Sequence, residues 1–329
     1  MDKQIVISIK TIFFAFIFAI ALYIVYRLGN VIKLFSIALL VVFAIEPLVK
    51  KIMQGTFLNR NVSRSLAVGV SYTIFAAMVV IVVTIWLPPF IGESQKLIKN
   101  FPHIFNSIEL GQNINLSFTD LVPQASQFSG NIVSAIVSIF SNLASVLSIF
   151  VLSLYMSLEW PLIKRRFAAL FPGKTEDMII DILDEIEVSI GNWIKGEAFL
   201  MFVVGLGCLI GLLLLRVSYP LSLALISGFL EVVPMIGPIA SAMVAAIIAL
   251  ADAPVKALGV IALYILVQQL ENHLLVPKVM QKVSGFSPLI ILFALLAGSQ
   301  FFGIAGAILA VPMAMIIAIV IKHIFKHLR

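Results

Sequence analysis

The stretch Glu231-Val232-Val233-Pro234-Met235-Ile236-Gly237-Pro238 interrupts an otherwise apolar run from Leu221 to Leu250. Both features are costly in hydrocarbon. The carboxylate loses its hydration, and each proline leaves a backbone carbonyl without an amide partner. Such a site persists where protein or water satisfies those groups, as along a substrate or ion pathway. The plainer reading is a proline-kinked helix whose glutamate reaches the interface.

The surrounding composition decides the solvent. Of 329 residues, 61% are hydrophobic and only 12% are charged, with a mean hydropathy of +1.13. A water-soluble globule of this size needs a polar exterior that this chain cannot supply. The fold class is therefore an all-α polytopic membrane protein. The net charge of +6 then marks cytoplasmic loops rather than nucleic-acid binding. The single cysteine, Cys208, permits no intrachain disulfide. Lys3 and Lys10 precede the first apolar stretch, but no small-residue cleavage site follows. That stretch reads as a retained helix.

About 20 apolar residues span the hydrocarbon core. Six stretches qualify, at 11–27, 31–49, 65–88, 132–158, 197–215 and 257–276. Pro88-Pro89 is expected to end the third and Glu159-Trp160-Pro161 the fourth. Two further elements are broken. Residues 220–250 are split by Pro234–Pro238, and 288–321 are split near Gly298–Gly303. The order helix, broken element, helix, broken element suggests two repeats, a pattern that points to a transporter's binding site. The layout is then 1–89 (three helices), 90–131 (an outer-face, partly helical segment), 132–158 (a fourth helix), 159–195 (a cytoplasmic amphipathic segment) and 196–329 (a transport core).

Lys50, Lys51, Arg60 and Arg64, then Lys164, Arg165 and Arg166, then Lys322, Lys326 and Arg329 form three basic groups. All can be cytoplasmic, with both termini inside. Re-entrant hairpins at the broken elements would place the 277–288 loop, with Lys278 and Lys282, on the same side and make the repeats inverted. Full crossings would place it outside. Within 159–195, Thr175 is a candidate cap, with Glu176 and Asp177 in the first turn. Ile179, Leu183, Ile186, Ile190 and Trp193 form an apolar stripe for packing on the membrane domain, while Asp181, Asp184, Glu185 and Glu187 lie mostly elsewhere.

Three groups could carry transport. The first is Glu231 with Pro234, Gly237 and Pro238. The second is the run Gln268-Gln269-Leu270-Glu271-Asn272-His273. At 100° per residue Gln268, Glu271 and Asn272 share one face, offering a carboxylate and two amides to a cation, a proton or a polyhydroxylated solute. Pro277 is expected to stop this helix, and its bland reading is a polar helix end at the interface. The third is Ser299, Gln300 and Gly303, a polar small-residue tip whose glycines could serve only for turning. Glu46 reads as interfacial. Glu197 reads as an acid favoured by the start of a helix, with an access-pathway role as the alternative. Glu231 and the Gln268/Glu271/Asn272 face are expected to meet in one cavity, where amide donors and a shared cation or proton could balance the charge.

Phosphate-loop, zinc-protease, paired-cysteine and serine-elbow motifs are lacking. The chain reads as no enzyme, with no cofactor and no metal site.

With these residues in view, the chain resembles the autoinducer-2 exporter family of bacterial permeases. The resemblance rests on Glu231–Pro238, on Gln268-Gln-Leu-Glu-Asn-His-Leu-Leu-Val-Pro277, on Gly303-Ile-Ala-Gly-Ala-Ile-Leu-Ala-Val-Pro312, and on Trp193-Ile-Lys-Gly196 leading into a helix. Where many members carry Gln after that glycine, this chain has Glu197. The resemblance implies a homo-oligomeric transporter of the bacterial inner membrane, a pentamer, in a family with signal exporters and sodium/proton antiporters. The expected function is secondary transport of a small solute coupled to protons or sodium. A sodium or lithium/proton antiporter is the alternative, and an oligomeric membrane scaffold is the alternative of another class.

Overall fold

The computed structural model describes residues 27–55, 62–106, 142–279 and 287–327, with isolated positions between 13 and 23. Most of the expected 11–27 span, the outer-face segment beyond 106, residues 132–141 and the loop carrying Lys282 lie outside the described residues. The described elements are helical: α1 (Gly29–Met53), α2 (Arg64–Asn106), α3 (Leu143–Ala168), α4 (Lys174–Leu214), α5 (Pro220–Leu230), α6 (Ile236–Asp252), α7 (Pro254–Leu270), a π-helical turn (Glu271–Leu275), α8 (Val276–Val279) and α9 (Pro288–His327). Among the described residues six helices are long and apolar enough to cross a membrane, whereas α5 and α6 are shorter.

Prolines end fewer helices than expected. α2 runs on through Pro88-Pro89. Phe90 is fully buried beside Ile226 of α5, and Glu93 accepts a hydrogen bond from the Ser222 amide at the start of α5. Tertiary contact here outweighs local propensity. α3 likewise continues past Pro161 to Ala168. An internal proline frees the carbonyl four residues earlier, here Ser157, and the Arg64 guanidinium donates to that oxygen from Nη2 at 2.6 Å and Nε at 3.1 Å. Pro47, inside α1, frees the Phe43 carbonyl. Gly191 of α4 packs there so closely that an added Cβ would stand 2.7 Å from that oxygen.

The amphipathic stretch and the next span form one unbroken helix of 41 residues, α4. Its cap is Gly173 rather than Thr175, at φ 84°, a conformation open to glycine. Ile182, Ile186, Ile190 and Trp193 bury against Ala38, Val42 and Phe43 of α1, Met156 and Trp160 of α3, and Met315 and Ile319 of α9. Ion pairs tie the same helix ends together. Lys50 and Lys164 both bind Glu187, and Lys322 binds Glu185 at 2.8 Å. Glu187 is buried rather than solvated, because these two lysines and the Trp160 indole, at 2.6 Å, compensate its charge. The ends of α1, α3 and α9 and the first half of α4 thus share one charged end of the molecule.

Both broken elements are helical hairpins. In the first, α5 and α6 reverse at 231–235, where Met235 has φ 67°. A Cβ on Gly237 would stand 1.8 Å from the Leu230 carbonyl oxygen. The hairpin's two ends also meet: Asp252 accepts from the Ser218 amide at 2.9 Å and its hydroxyl at 2.8 Å. The chain therefore enters and leaves at one end, the far end, opposite the charged one. In the second, α9 reverses at Gly303, with φ 63° and ψ −141°, rather than earlier at Gly298. Gly298 and Gly306 come into backbone contact across the reversal. Ile291 of its first arm and Met315 of its second lie in the charged-end cluster. The unit α4 plus first hairpin thus runs opposite to the unit α7 plus second hairpin.

Gly237→Ala is expected to destabilise the protein by roughly 3 kcal/mol, because the new methyl meets backbone that cannot move aside. Thermal unfolding of the detergent-purified protein measures it. Gly69→Ala, with nothing within 4 Å of the added carbon, is expected to match wild type.

Candidate functional site

The first hairpin's tip delivers Glu231 to the interior. α4 and α5 pack closely, with the Met201 carbonyl oxygen 2.8 Å from where a Cβ of Gly228 would lie. They run antiparallel, so one turn toward the charged end from this contact leads to Glu197 on α4 and to Glu231 at the end of α5. Glu231 is 3% exposed and Glu197 6%.

Glu271 comes from α7. Pro277 does not stop that helix. Its ring cannot donate to the carbonyl four residues back and crowds it, and the preceding turn widens instead. The Val276 amide bonds back to the Glu271 carbonyl, five residues earlier. A widened turn of this type is frequent at functional sites. It also breaks the 100° register. Glu271 turns inward at 6% exposed, while Asn272 is exposed and leaves the face it was expected to share. Gln268 stays with Glu271, donating from Nε2 to Oε2 at 2.8 Å.

Glu231 and Glu271 are close enough to interact through their side chains and charges. Glu197 acts electrostatically on both. Oε2 of Glu231 is buried without a donor among the described residues. On the far-end side Ser227, one turn before Glu231, bonds the Tyr264 hydroxyl at 2.7 Å. Beyond them Cys208, Leu212, Leu223, Ala245 and Val260 pack into an apolar plug.

The five buried acids among the described residues divide into two kinds. Glu46, one of the two with cations, is not interfacial but 1% exposed, held by Arg64 in a two-point bond at 2.8 and 2.9 Å. Glu187 has its lysines. Glu197, Glu231 and Glu271 have no Lys, Arg or His partner among the described residues. Nor, among those residues, do three His, Cys, Asp or Glu groups converge as a metal cage.

Other expected site residues divide similarly. Pro234 lies in the hairpin turn, and Gly237 and Pro238 lie in the first turn of α6. Ser299, Gln300 and Gly303 occupy the exposed tip of the second hairpin, where the Ser299 hydroxyl returns to the Leu296 carbonyl at 3.0 Å. Among the described residues no hydrogen bond links this tip to the carboxylates. Sequence reasoning left Glu197 out of the site because Gly196 resembled a helix start. The residue in fact sits in the middle of α4. The usable signal was an acid in an apolar run only four residues from Met201.

A separate cavity of about 280 Å³ lies between α2, α4 and α5, walled by Trp86, Ala198, Met201, Gly205, Gly228 and Phe229 among others. No acid or amide side chain lines it.

Six long apolar helices, a helical hairpin with a buried carboxylate at its tip and a second hairpin running the opposite way are features of a polytopic membrane transport protein. The chain matches the AI-2E family transporter pattern over residues 12–326 and belongs to that family. Two relatives from Bacillus subtilis (strain 168) bear transport-protein names. YueF is 26% identical over 74% of this chain and 68% of its own length, and YrrI is 29% identical over 60% and 57%. A protein of Halobacillus andaensis named sodium-lithium/proton antiporter is 24% identical over 80% of this chain and 85% of its own.

The contrast between paired and unpaired acids is measurable as stability. Glu46→Gln strands the Arg64 charge and is expected to cost about 3 kcal/mol, the low end for a buried pair because the guanidinium keeps some solvent contact. Glu231→Gln strands no cation and is expected to leave the thermal midpoint at or above that of wild type. Parallel thermal unfolding of the two variants checks both.

Proposed function

We propose that this protein is a secondary transporter of the bacterial inner membrane that moves a small solute by alternating access, coupled to protons or sodium. The observation that carries the reading is the set of buried acids without cations at the tip of a helical hairpin. A carboxylate in hydrocarbon is neutralised by a proton or a bound cation, so its occupancy is tied to a transferable ion. The hairpin supplies the moving part. Neutral and charged states of Glu231 favour different packings of a tip that already interrupts its helix, which is the differential interaction that a conformational shift requires. Inverted repeats then provide two related arrangements, one open to each side.

In this reading α5–α6 enters the membrane from outside and the second hairpin from the cytoplasm, and both termini are cytoplasmic. The positive-inside tendency supports that orientation through the shared charged end. Copies assemble as a homo-oligomer, with the remaining apolar surface against lipid. A second reading, exchange of sodium or lithium for protons, is favoured by the Halobacillus relative. There the cation itself would displace the shared proton.

Protein in sealed vesicles with an imposed pH gradient separates these readings. Proton movement on adding sodium or lithium supports cation exchange, movement only with a particular solute supports solute coupling, and none under any condition supports a scaffold. Glu231→Gln is expected to reduce coupled proton movement to background while the protein remains folded. Wild-type rate and pH dependence in that variant would overturn the assignment.

Orientation has its own test. In a Cys208→Ala background, a cysteine at Val255, exposed in the first turn of α7, is expected to react with an impermeant thiol reagent in intact cells. A cysteine at Ser284, outside the described residues, is expected to resist it. The reverse pattern inverts the topology.

A further inference from the structure

We propose that Glu197 is a third ion-exchanging carboxylate of the site, acting with Glu231 and Glu271 as one coupled unit. The inference rests on the functional reading above and adds a residue that neither the motifs nor the comparisons assign.

Three observations support it. Glu197 lies in the interior of α4 and is 6% exposed, so no helix end compensates its charge. It lies level with the Glu231 tip by the antiparallel packing of α4 on α5, and its field reaches both other acids. The neighbouring Glu231 oxygen is buried and has no donor among the described residues, which points to a proton or small cation held at this place.

The cations of the neighbouring elements are committed elsewhere or point away. On α1, Lys50 binds Glu187, and the Arg64 guanidinium holds Glu46. On α9, Lys322 and His323 face Glu185. Lys195, on α4 itself, is exposed and has Lys51 of α1 as its electrostatic neighbour. α7 and its π-helical turn bring Gln268 and Glu271 to the site, α5 brings Glu231, and the neutral Tyr264 hydroxyl and Cys208 thiol border it on the far-end side. The described residues therefore offer Glu197 two acids and no base.

Lys195 and the charged hub lie on one side of Glu197, and the Tyr264–Ser227 bond with its apolar plug lies on the other side of the pair. No bond changes beyond proton transfer from one carboxyl oxygen to another.

The test needs no identified solute. Infrared pH titration of the purified full-length protein follows the carboxylic-acid carbonyl band in wild type, Glu197→Gln, Glu231→Gln and a surface control, Asp181→Asn. Glu197→Gln is expected to remove a titrating component and to move the midpoint of the remaining acids by about one pH unit or more, as coupled groups do. Asp181→Asn is expected to leave the buried band unchanged. If Glu231→Gln alters the band and Glu197→Gln leaves both its amplitude and midpoint as in wild type, Glu197 is not part of the unit and this inference is overturned. If Glu231→Gln also leaves the band unchanged, the carboxylate reading of the site fails with it. Glu197→Asp, which keeps the group one methylene shorter, is expected to restore the missing component. Failure to do so in a folded variant would assign Glu197 a packing role only.

Discussion

A carboxylate removed from water needs a compensating charge, and this chain meets that need in two ways. At the charged end the compensation is permanent. Arg64 holds Glu46, and two lysines and an indole hold Glu187. These contacts pin α1, α2, α3 and α4 to one another, since removing either partner of a buried pair strands the other. At the first hairpin tip no fixed cation is supplied among the described residues. A frame locked by internal cations thus surrounds a centre that depends on external ones.

The same economy governs the backbone. A proline inside a spanning helix leaves a carbonyl unpaired, in a solvent that offers no substitute. At Pro161 and Pro47 the remedy is local. Arg64 donates to the Ser157 carbonyl while also binding Glu46, so one side chain serves a broken helix and a buried acid together. Gly191 lets α4 approach the Phe43 carbonyl. At Pro277 the helix adjusts itself by widening one turn, and that adjustment carries Glu271 inward. Proline here shapes helices more than it ends them.

This explains what could be read in the sequence. The helical membrane class, the two broken elements and the proximity of Glu231 to Glu271 follow from hydropathy, from prolines and from the cost of lone charges, all of which are local or additive. What escaped reading depended on partners distant in the chain. Pro88-Pro89 and Pro161 look like terminators until Phe90, Glu93 and Arg64 are in place around them. Asn272 looks inward-facing until the π-helical turn rotates it out. Glu187 looks solvated until Lys50, more than a hundred residues away, reaches it. Glu197 was obscured because Gly196 suggested a boundary where α4 has none.

That continuity of α4 has a mechanical consequence. At 1.5 Å per residue the helix is about 60 Å long, and it carries the cationic hub, Glu197 and the Gly205–Gly228 seat of the hairpin on a single rod. Its first half is anchored at several points, and its second half grips α5 through backbone contact. Such a rod acts as a lever with its fulcrum at Glu187. A tilt of roughly 5° there would displace Gly205, 18 residues along, by about 2 Å. That is comparable to the shifts by which packed helices change partners. An event in the aqueous layer around the basic loops could therefore be felt at the carboxylates without a contiguous chain of polar contacts.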